Sequence, residues 1–492
     1  MELAYRELNG EVTPENAGVQ LKRYPIVVDL DKTLILTDTL HEQVVAALFT
    51  QPATLLHAAP SMLRGRAALK AALASKVDLA STVLPLREDL VKWLREQAAA
   101  GREIHLCSAA NQAVVDNISR RIGIFSSAIG SDTANLKGRV KAEHLARTFP
   151  DGFVYVGDSR ADLAVWKLAA GIVLAGVSTG VAKAARELGK PIEAEFSNHP
   201  LTLKDSLKAL RVHHWSKNAL IFVPLILAHA WGDMAVLRDT VLGLFCLLVV
   251  TSSTYLLNDL ADLSADRQHW SKRNRALASG RLPIAAGLAM AGIGLVAAFV
   301  GSLLLTPYFT LALASYLVLT LAYSFGLKRV PILDTLIIGI LFTTRLIMGI
   351  TLLRLPASAW LLTFSVFFFF SLAVAKRHTE IIRAASTGSH SLASRGYMLE
   401  DAPLTLAFGI ASAVASLLVM VLFIVEEMLP GSVYSHPNLL GGIPVFLAIW
   451  VGRIWLLAHR GRMNDDPVSF ALRDKPSVLL GFLVAVLFVA AL

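Results

Sequence analysis

The sequence predicts two unlike folds in one chain: an α/β doubly wound soluble domain, followed by an all-α polytopic membrane domain of about nine transmembrane helices. Three observations predict this. Charges are scattered through residues 1 to about 210, whereas apolar runs of membrane-spanning length dominate from about 215 onward. Of the 492 residues, 55% are hydrophobic and 17% charged, with a mean hydropathy of +0.57, an excess that must be buried in lipid. The first part also alternates short apolar runs with helix-like stretches, the signature of a wound sheet. The expected division is residues 1–195 for the soluble domain, 196–216 for an amphipathic interfacial linker and 217–492 for the membrane domain.

Composition excludes several classes of function. The net charge of +9 is not gathered into a dense basic stripe and no nucleic-acid motif accompanies it, so no nucleic-acid partner is expected. Cys107 and Cys246, one in each half, rule against a disulfide framework and suit a reducing compartment. Met1 to Tyr24 is polar with no central apolar stretch, so no signal peptide is expected and the soluble domain should stay on the cytoplasmic side. The oligomeric state is not readable.

In the soluble half, Ile26–Val28, Ile104–Leu106, Phe153–Val156 and Ile172–Leu174 read as buried strands. Asp29 and Asp31 follow the first, Ser108 the second and Asp158 the third, and carboxyl ends of strands form the ligand crevice of such sheets. Asp29 can attack phosphorus as a carboxylate nucleophile, while Asp31 can protonate the leaving oxygen and later activate water. Asp158 and Asp162, in Gly157-Asp158-Ser159-Arg160-Ala161-Asp162, can supply further oxygens to Mg²⁺, which offsets repulsion between the acidic cluster and a phosphate. Ser108 and a lysine, Lys141 or Lys137, could hold phosphoryl oxygens. Standing alone, Asp29 and Asp31 would read as strand-end turn residues; four ordered elements argue otherwise.

Residues 24 to about 190 resemble the haloacid dehalogenase superfamily, with its four motifs in order. The resemblance implies a phosphatase-like domain in which Asp29 is the nucleophile, Asp31 the acid/base, Ser108 and Lys141 the phosphate holders, and Asp158, supported by Asp162, a Mg²⁺ ligand. The helix-like insert from about Thr37 to Leu94 occupies the place of the family's small cap.

Beyond residue 210, apolar segments lie at roughly 217–232, 238–258, 286–305, 308–325, 332–353, 357–375, 403–425, 438–457 and 477–492. With the soluble domain cytoplasmic, the loops on that face carry Arg267, Lys272, Arg273, Arg275, Lys328, Arg329, Lys376, Arg377, Arg460 and Arg462. The opposite loops offer little beyond Arg238 and Arg354. The second segment runs into Asn258-Asp259-Leu260-Ala261-Asp262-Leu263-Ser264-Ala265-Asp266. If the helix continues, Asn258, Asp262 and Asp266 form a column of oxygen ligands spanning roughly 12 Å on one face. Carboxylates at a membrane boundary need ions or partners, and a Mg²⁺–diphosphate is a natural occupant, with Lys272, Arg275 and Arg281 available to phosphate groups. A second polar cluster comprises Tyr323, Lys328, Arg329 and Asp334, with Arg345 deeper in the fifth segment. Arg345 could equally be one half of a structural ion pair, and Lys328 and Arg329 could be anchors at the inner face.

Residues about 211 to 492 resemble the UbiA-type intramembrane prenyltransferase superfamily, on the strength of Asn258-Asp259-x-x-Asp262-x-x-x-Asp266 and the segment layout. Members bind a diphosphate through Mg²⁺ held by two aspartate-rich motifs and transfer a cationic carbon to an acceptor. Here Asp334 is followed four residues later by Ile338 rather than by a second aspartate, which argues against an ordinary prenyl-diphosphate donor. Arg211-x-x-x-Trp215-x-Lys217-Asn218, His269-x-x-Lys272-x-x-Arg275, Tyr323 through Asp334, Arg345, Lys376-Arg377 and Asp465-Asp466-Pro467-Val468 are similar to the decaprenyl-phosphate phosphoribosyltransferase branch.

That resemblance implies phosphoribosyl diphosphate as donor and a polyprenyl phosphate as acceptor, with Lys217, Lys328, Lys376 and Arg377 as cations for the donor's additional phosphate. The fused domain would then remove the 5-phosphate. An integral protein of a bacterial inner membrane is expected, with soluble domain and transferase loops cytoplasmic. Two other readings remain: prenyl transfer from a polyprenyl diphosphate to an aromatic or other small acceptor, and a membrane-anchored phosphatase. The aligned Asp262 and Asp266 disfavour the latter, because an anchor needs only apolar helices.

Overall fold

The apolar runs of the first part become the interior of a parallel sheet. A computed structural model of the protein describes residues 21–63, 66–77, 79, 82–131, 136–198, 201–386, 395–430, 433–463 and 467–492. Asp465 and Asp466 therefore lie outside the described residues.

Strand β1 (Ile26–Val28) leads to helices α1 (Thr39–Thr50), α2 (Pro52–Met62), α3 (Arg66–Ala74) and α4 (Glu88–Ala99). There follow β2 (Ile104–Asn111), α5 (Gln112–Ile122), β3 (Ser127–Ser131), α6 (Arg139–Thr148), β4 (Val154–Gly157), α7 (Leu163–Leu168), β5 (Gly171–Ala175), α8 (Thr179–Arg186) and β6 (Ile192–Phe196). The strands are ordered β3-β2-β1-β4-β5-β6, all parallel, with Ile26 registered on both Ile104 and Val154. Parallel neighbours require helical crossovers, and these cover both faces. Side chains alternate accordingly: Ile26, Val28, Leu106 and Val156 pack into one core, while Val27, Tyr155, Ile172 and Trp166 pack into the other. The winding reverses at β1, which places the crevice at the carboxyl ends of β1, β2 and β4.

After α9 (Leu203–Ala209), the expected first span is not one helix. A 3₁₀ stretch, Val212–Phe222, is followed by α10 (Val223–Leu227) and a 3₁₀ turn, Ala230–Gly232, with His229 at φ 56° between them. Pro224 and the left-handed turn break the helix, so none of these pieces crosses a bilayer's hydrocarbon core of ~30 Å. The chain continues through α11 (Met234–Ala261), α12 (Leu263–Gln268), α13 (Ile284–Leu303), α14 (Pro307–Phe325), α15 (Leu333–Leu353), α16 (Ala359–Ser386), α17 (Ala402–Phe423), α18 (Gly442–His459), α19 (Pro467–Ala471) and α20 (Lys475–Ala491).

Among the described residues, seven helical segments are long and apolar enough to cross a membrane: those containing α11 and α13 through α18. Helix α20 has 17 residues, a rise of about 25 Å, and falls short.

The chain forms two compact units, each built from two stretches of sequence. One comprises the described residues up to Ala209 together with Leu256–Ala289; the other comprises Leu210–Tyr255 with Met290–Leu492. The Asn258–Asp266 stretch thus belongs to the same unit as the α/β sheet.

Candidate functional site

In the sheet crevice, Asp29 leaves the end of β1 and accepts a hydrogen bond from Lys141 Nζ of α6 at 2.8 Å. The same ammonium donates to the Cys107 carbonyl and to Tyr155 Oη, at 3.2 and 3.0 Å, so Lys141 is fixed by three strands at once. Ser108 is buried beside Cys107, inside β2 rather than after it, and its Oγ accepts from the Ala110 amide. Asp31 accepts from the Thr39 amide at 2.8 Å, from Thr39 Oγ1 at 3.2 Å and from Lys70 Nζ at 3.4 Å. Lys70, from the helical insert, and Thr39 carried no sequence signal, because each is recognisable only once α1 and α3 bring them to Asp31.

Asp162 is held rigidly. Its Oδ2 accepts from the amides of Asp158 and Ser159 and from Ser159 Oγ, while Oδ1 accepts from Tyr155 Oη. A Cβ at position 157 would lie 2.8 Å from the Asp162 carboxyl carbon, which is why glycine stands there.

Carboxylate oxygens of Asp29, Asp158 and Asp162 lie within 4.8 Å of one another. Burial, opposed by the Lys141 charge and reinforced by Asp162 and Asp31, raises the Asp29 carboxyl to about 6. Burial together with Asp29 and Asp162 raises Asp158 to about 7. Asp31 is also raised, by burial and by Asp38. Three carboxylates gathered around the single Lys141 ammonium leave negative charge in excess, and such hard oxygen donors suit Mg²⁺, which Asp29 and Asp158 would hold with Asp162 beside them.

At the end of α11, amide-to-carbonyl bonds run from Asp262 to Asn258 and from Asp266 to Asp262, so helical spacing persists through a turn at Asp262. Asn258 Nδ2 donates to Asp262 Oδ2 at 3.1 Å. Asp266 departs from the expected column: buried, it accepts from Arg275 Nη1 at 2.6 Å, and that nitrogen also donates to Asp259 at 3.0 Å. Lys272 Nζ stands 3.9 Å from Asp266. Burial raises the Asp266 carboxyl despite Arg275. Asp259 was missed as a site residue, although it lies seven positions before Asp266 and so shares its face. Arg281 is engaged by Asp205 at 2.6 Å. Asn258 and Asp262 offer hard oxygen donors of the kind Mg²⁺ takes, and Asp266 could join them only by sharing its carboxylate with Arg275.

In the second unit, Asp334 of α15 is wholly buried. It accepts from Arg377 Nε at 2.8 Å and Tyr397 Oη at 2.7 Å, with Arg395 at 4.0 Å. Arg377 also pairs with Glu380, and Arg395 donates to Tyr323 Oη at 3.0 Å. Asp334, Arg377 and Tyr323 therefore share one network, joined by Tyr397 and Arg395, which sequence spacing did not mark. Lys376 precedes Arg377 on α16, and Lys328 lies in the 3₁₀ turn Leu327–Arg329.

Arg345 is buried deeper in α15, without a carboxylate among the described residues at ion-pair distance. It donates to Asn218 Oδ1 at 2.8 Å, to Tyr316 Oη at 3.1 Å and to the Leu341 carbonyl. Lys217 and Asn218 are neighbours in the 3₁₀ stretch Val212–Phe222. Among the described residues, Arg345 is thus held by a neutral amide and a phenol rather than by an acid.

Residues 219–491 match the UbiA prenyltransferase family. An uncharacterized protein of Sinorhizobium fredii, y4nM, is 44% identical over 472 residues, covering 96% of this chain and 92% of that one. The nodulation protein NoeC of Azorhizobium caulinodans is 30% identical over 286 residues, 57% of this chain and 92% of that protein. A decaprenyl-phosphate phosphoribosyltransferase of Mycolicibacterium smegmatis is 35% identical over 189 residues, 37% of this chain and 59% of that protein.

Proposed function

The chain belongs to the UbiA prenyltransferase family, and from that membership we propose that it transfers 5-phosphoribose from phosphoribosyl diphosphate to a polyprenyl phosphate. It is an integral membrane protein of the transferase type. The observation that carries the donor assignment is Asp334, the one aspartate of α15, held by Arg377, Arg395 and Tyr397 with Glu380 on the other side of Arg377, where a prenyl-diphosphate site would need an aspartate pair. Its two arginines are balanced by Asp334 and Glu380, so Lys217, Lys328 and Lys376 are the cations that would meet a donor's extra phosphate. The similarity to the mycobacterial phosphoribosyltransferase supports the same choice.

In this reading an acceptor phosphate oxygen attacks C1 of the ribose. The bond from C1 to the diphosphate oxygen breaks, and pyrophosphate leaves with the electron pair. The acceptor is already anionic, so no strong base is needed; catalysis rests on positioning and on excluding water. Asn258, Asp262 and Asp266 would hold Mg²⁺, which when bound neutralises charge on the leaving diphosphate. Arg275 is a hydrogen-bond donor beside Asp266, available to the same phosphates.

The α/β site supports a second step, removal of the 5-phosphate to give polyprenyl-phosphoryl ribose. Asp29 would attack phosphorus while Asp31 protonates the departing ribose oxygen; water, deprotonated by Asp31, then releases inorganic phosphate. The raised Asp31 carboxyl suits a group that must first carry a proton. Lys141 would steady the phosphoryl oxygens.

The test is to incubate full-length protein with labelled phosphoribosyl diphosphate, Mg²⁺ and a polyprenyl phosphate. A labelled lipid is expected. Its absence, with pyrophosphate released instead from a polyprenyl diphosphate, would move the assignment to prenyl transfer.

A further inference from the structure

Arg267 directly follows Asp266, yet its guanidinium serves the other side of the same compact unit. Nη1 and Nη2 donate to Glu42 Oε2 and Oε1 at 2.9 and 2.7 Å, Nε donates to the Ala278 carbonyl at 3.0 Å, and Nη1 also reaches the Val83 carbonyl at 3.3 Å. Side-chain exposure is 3% for Arg267 and 4% for Glu42. Two parallel bonds to one carboxylate fix orientation as well as distance, which a lysine's point charge would not do.

Glu42 is tied to the loop that aims Asp31. It accepts from Thr37 Oγ1 at 2.7 Å, and the Thr37 carbonyl accepts from the Lys32 amide at 2.9 Å, closing the loop behind Asp31. One turn before Glu42 on α1, Thr39 holds the Asp31 carboxylate through its amide and hydroxyl. The same loop meets the chain after α12: a Cβ on Gly280, at φ +76°, would lie 2.7 Å from Leu36 Cβ and 2.9 Å from the Leu36 carbonyl oxygen. Beyond Arg267, Asp266 is clamped through Arg275 to Asp259.

A continuous path therefore runs from Asp31 to Asp266, polar at Thr39 to Asp31 and at Arg267 to Glu42 and carried by the chain itself along α1 and from Arg267 to Asp266. A buried ion pair is a poor device for stability alone, because desolvation opposes its attraction; fixing one arrangement among several is its best-attested use.

We propose that Arg267 is a positioning residue for both reactions, locking the Asp31 loop and the Asp266 turn into one register so that breaking this lock impairs both activities at once. This rests on the assignment of Asp31 to phosphate removal and of Asp266 to the transferase.

The test uses the full chain in lipid nanodiscs, with Arg267→Lys, which keeps the charge and loses the fork, and Glu42→Gln. Hydrolysis of p-nitrophenyl phosphate and release of pyrophosphate from phosphoribosyl diphosphate are measured side by side. In each folded variant, kcat for both reactions should fall about tenfold or more while KM moves less than about threefold. The double variant should be no worse than the worse single one. A folded variant that loses one activity only, or neither, overturns the proposal.

Hydrogen exchange on the wild type gives a readout independent of turnover. Mg²⁺ with pyrophosphate should slow exchange in residues 31–42 as well as in 263–282. The same experiment on Asp262→Ala should show neither effect, which excludes pyrophosphate acting in the crevice of Asp29. Protection confined to 263–282 refutes the lock. If the wild type makes no lipid product from phosphoribosyl diphosphate, the donor assignment fails instead, and the exchange result alone decides the role of Arg267.

Discussion

Replacing Asp158 with Asn should make the metal-free protein more stable at pH 8. Burial and the neighbouring Asp29 and Asp162 raise the Asp158 carboxyl from the usual 3.8 to about 7. A group whose folded pKa lies above its unfolded value stabilises the fold fully below the unfolded value, and that contribution is lost as pH rises through the folded one. The window here runs from pH 3.8 to about 7, and at ~1.4 kcal/mol per pH unit the loss is about 4 kcal/mol. Asp29 behaves in the same sense up to about 6, but the two carboxylates repel each other, so their losses overlap rather than add.

Asn keeps the acceptor for Thr33 Oγ1 and removes the charge. Melting of the α/β unit, followed in EDTA at pH 8, should therefore rise by at least about 5 °C. Millimolar Mg²⁺ should raise the wild-type melting temperature much more at pH 8 than at pH 5.5, where protons already occupy the carboxylates, and should barely affect the variant. An equal Mg²⁺ response at both pH values, or a lower melting temperature for Asp158→Asn in EDTA at pH 8, would refute the reasoning.

Asp29→Asn should leave lipid labelling intact while the 5-phosphorylated lipid accumulates, visible by mass spectrometry of the extracted product; an unchanged product mixture would reject coupled phosphate removal. Asp262→Ala and Asp266→Ala, separately and together, should lower pyrophosphate release by about a hundredfold, and wild-type turnover in all three would end the transferase assignment. Arg377→Met strands a buried Asp334 with Tyr397 as its remaining close donor, so stability should fall by about 3–5 kcal/mol. Adding Asp334→Asn should recover most of that loss in the same thermal assay, and additive losses would contradict the pairing.

The interior of the α/β sheet was legible because β1, β4 and β5 are fully buried and hence continuous apolar runs. The edge strands β3 and β6, Ser-Ala-Ile-Gly-Ser and Ile-Glu-Ala-Glu-Phe, are only partly buried and carry no such run. Asp29, Asp31, Asp158 and Asp262 announce themselves by position relative to predicted elements. Their partners do not: Lys70, Tyr155, Tyr397 and Arg395 gain meaning only from tertiary approach. The apolar stretch at 217–232 looked like a span because hydropathy ignores where proline and a left-handed residue interrupt the backbone. Least legible was the membership of Leu256–Ala289 in the α/β unit, since Glu42 and Arg267 are 225 positions apart.

That shared membership bears on how such a gene could be split. A fission within residues 196–216 would leave the amino-terminal product with Glu42 facing water where a guanidinium had been, and its carboxy-terminal sibling with an orphaned Arg267 next to Asp266. The two polypeptides would either find each other again or, as stand-alone descendants, carry compensating substitutions at positions 42 and 267.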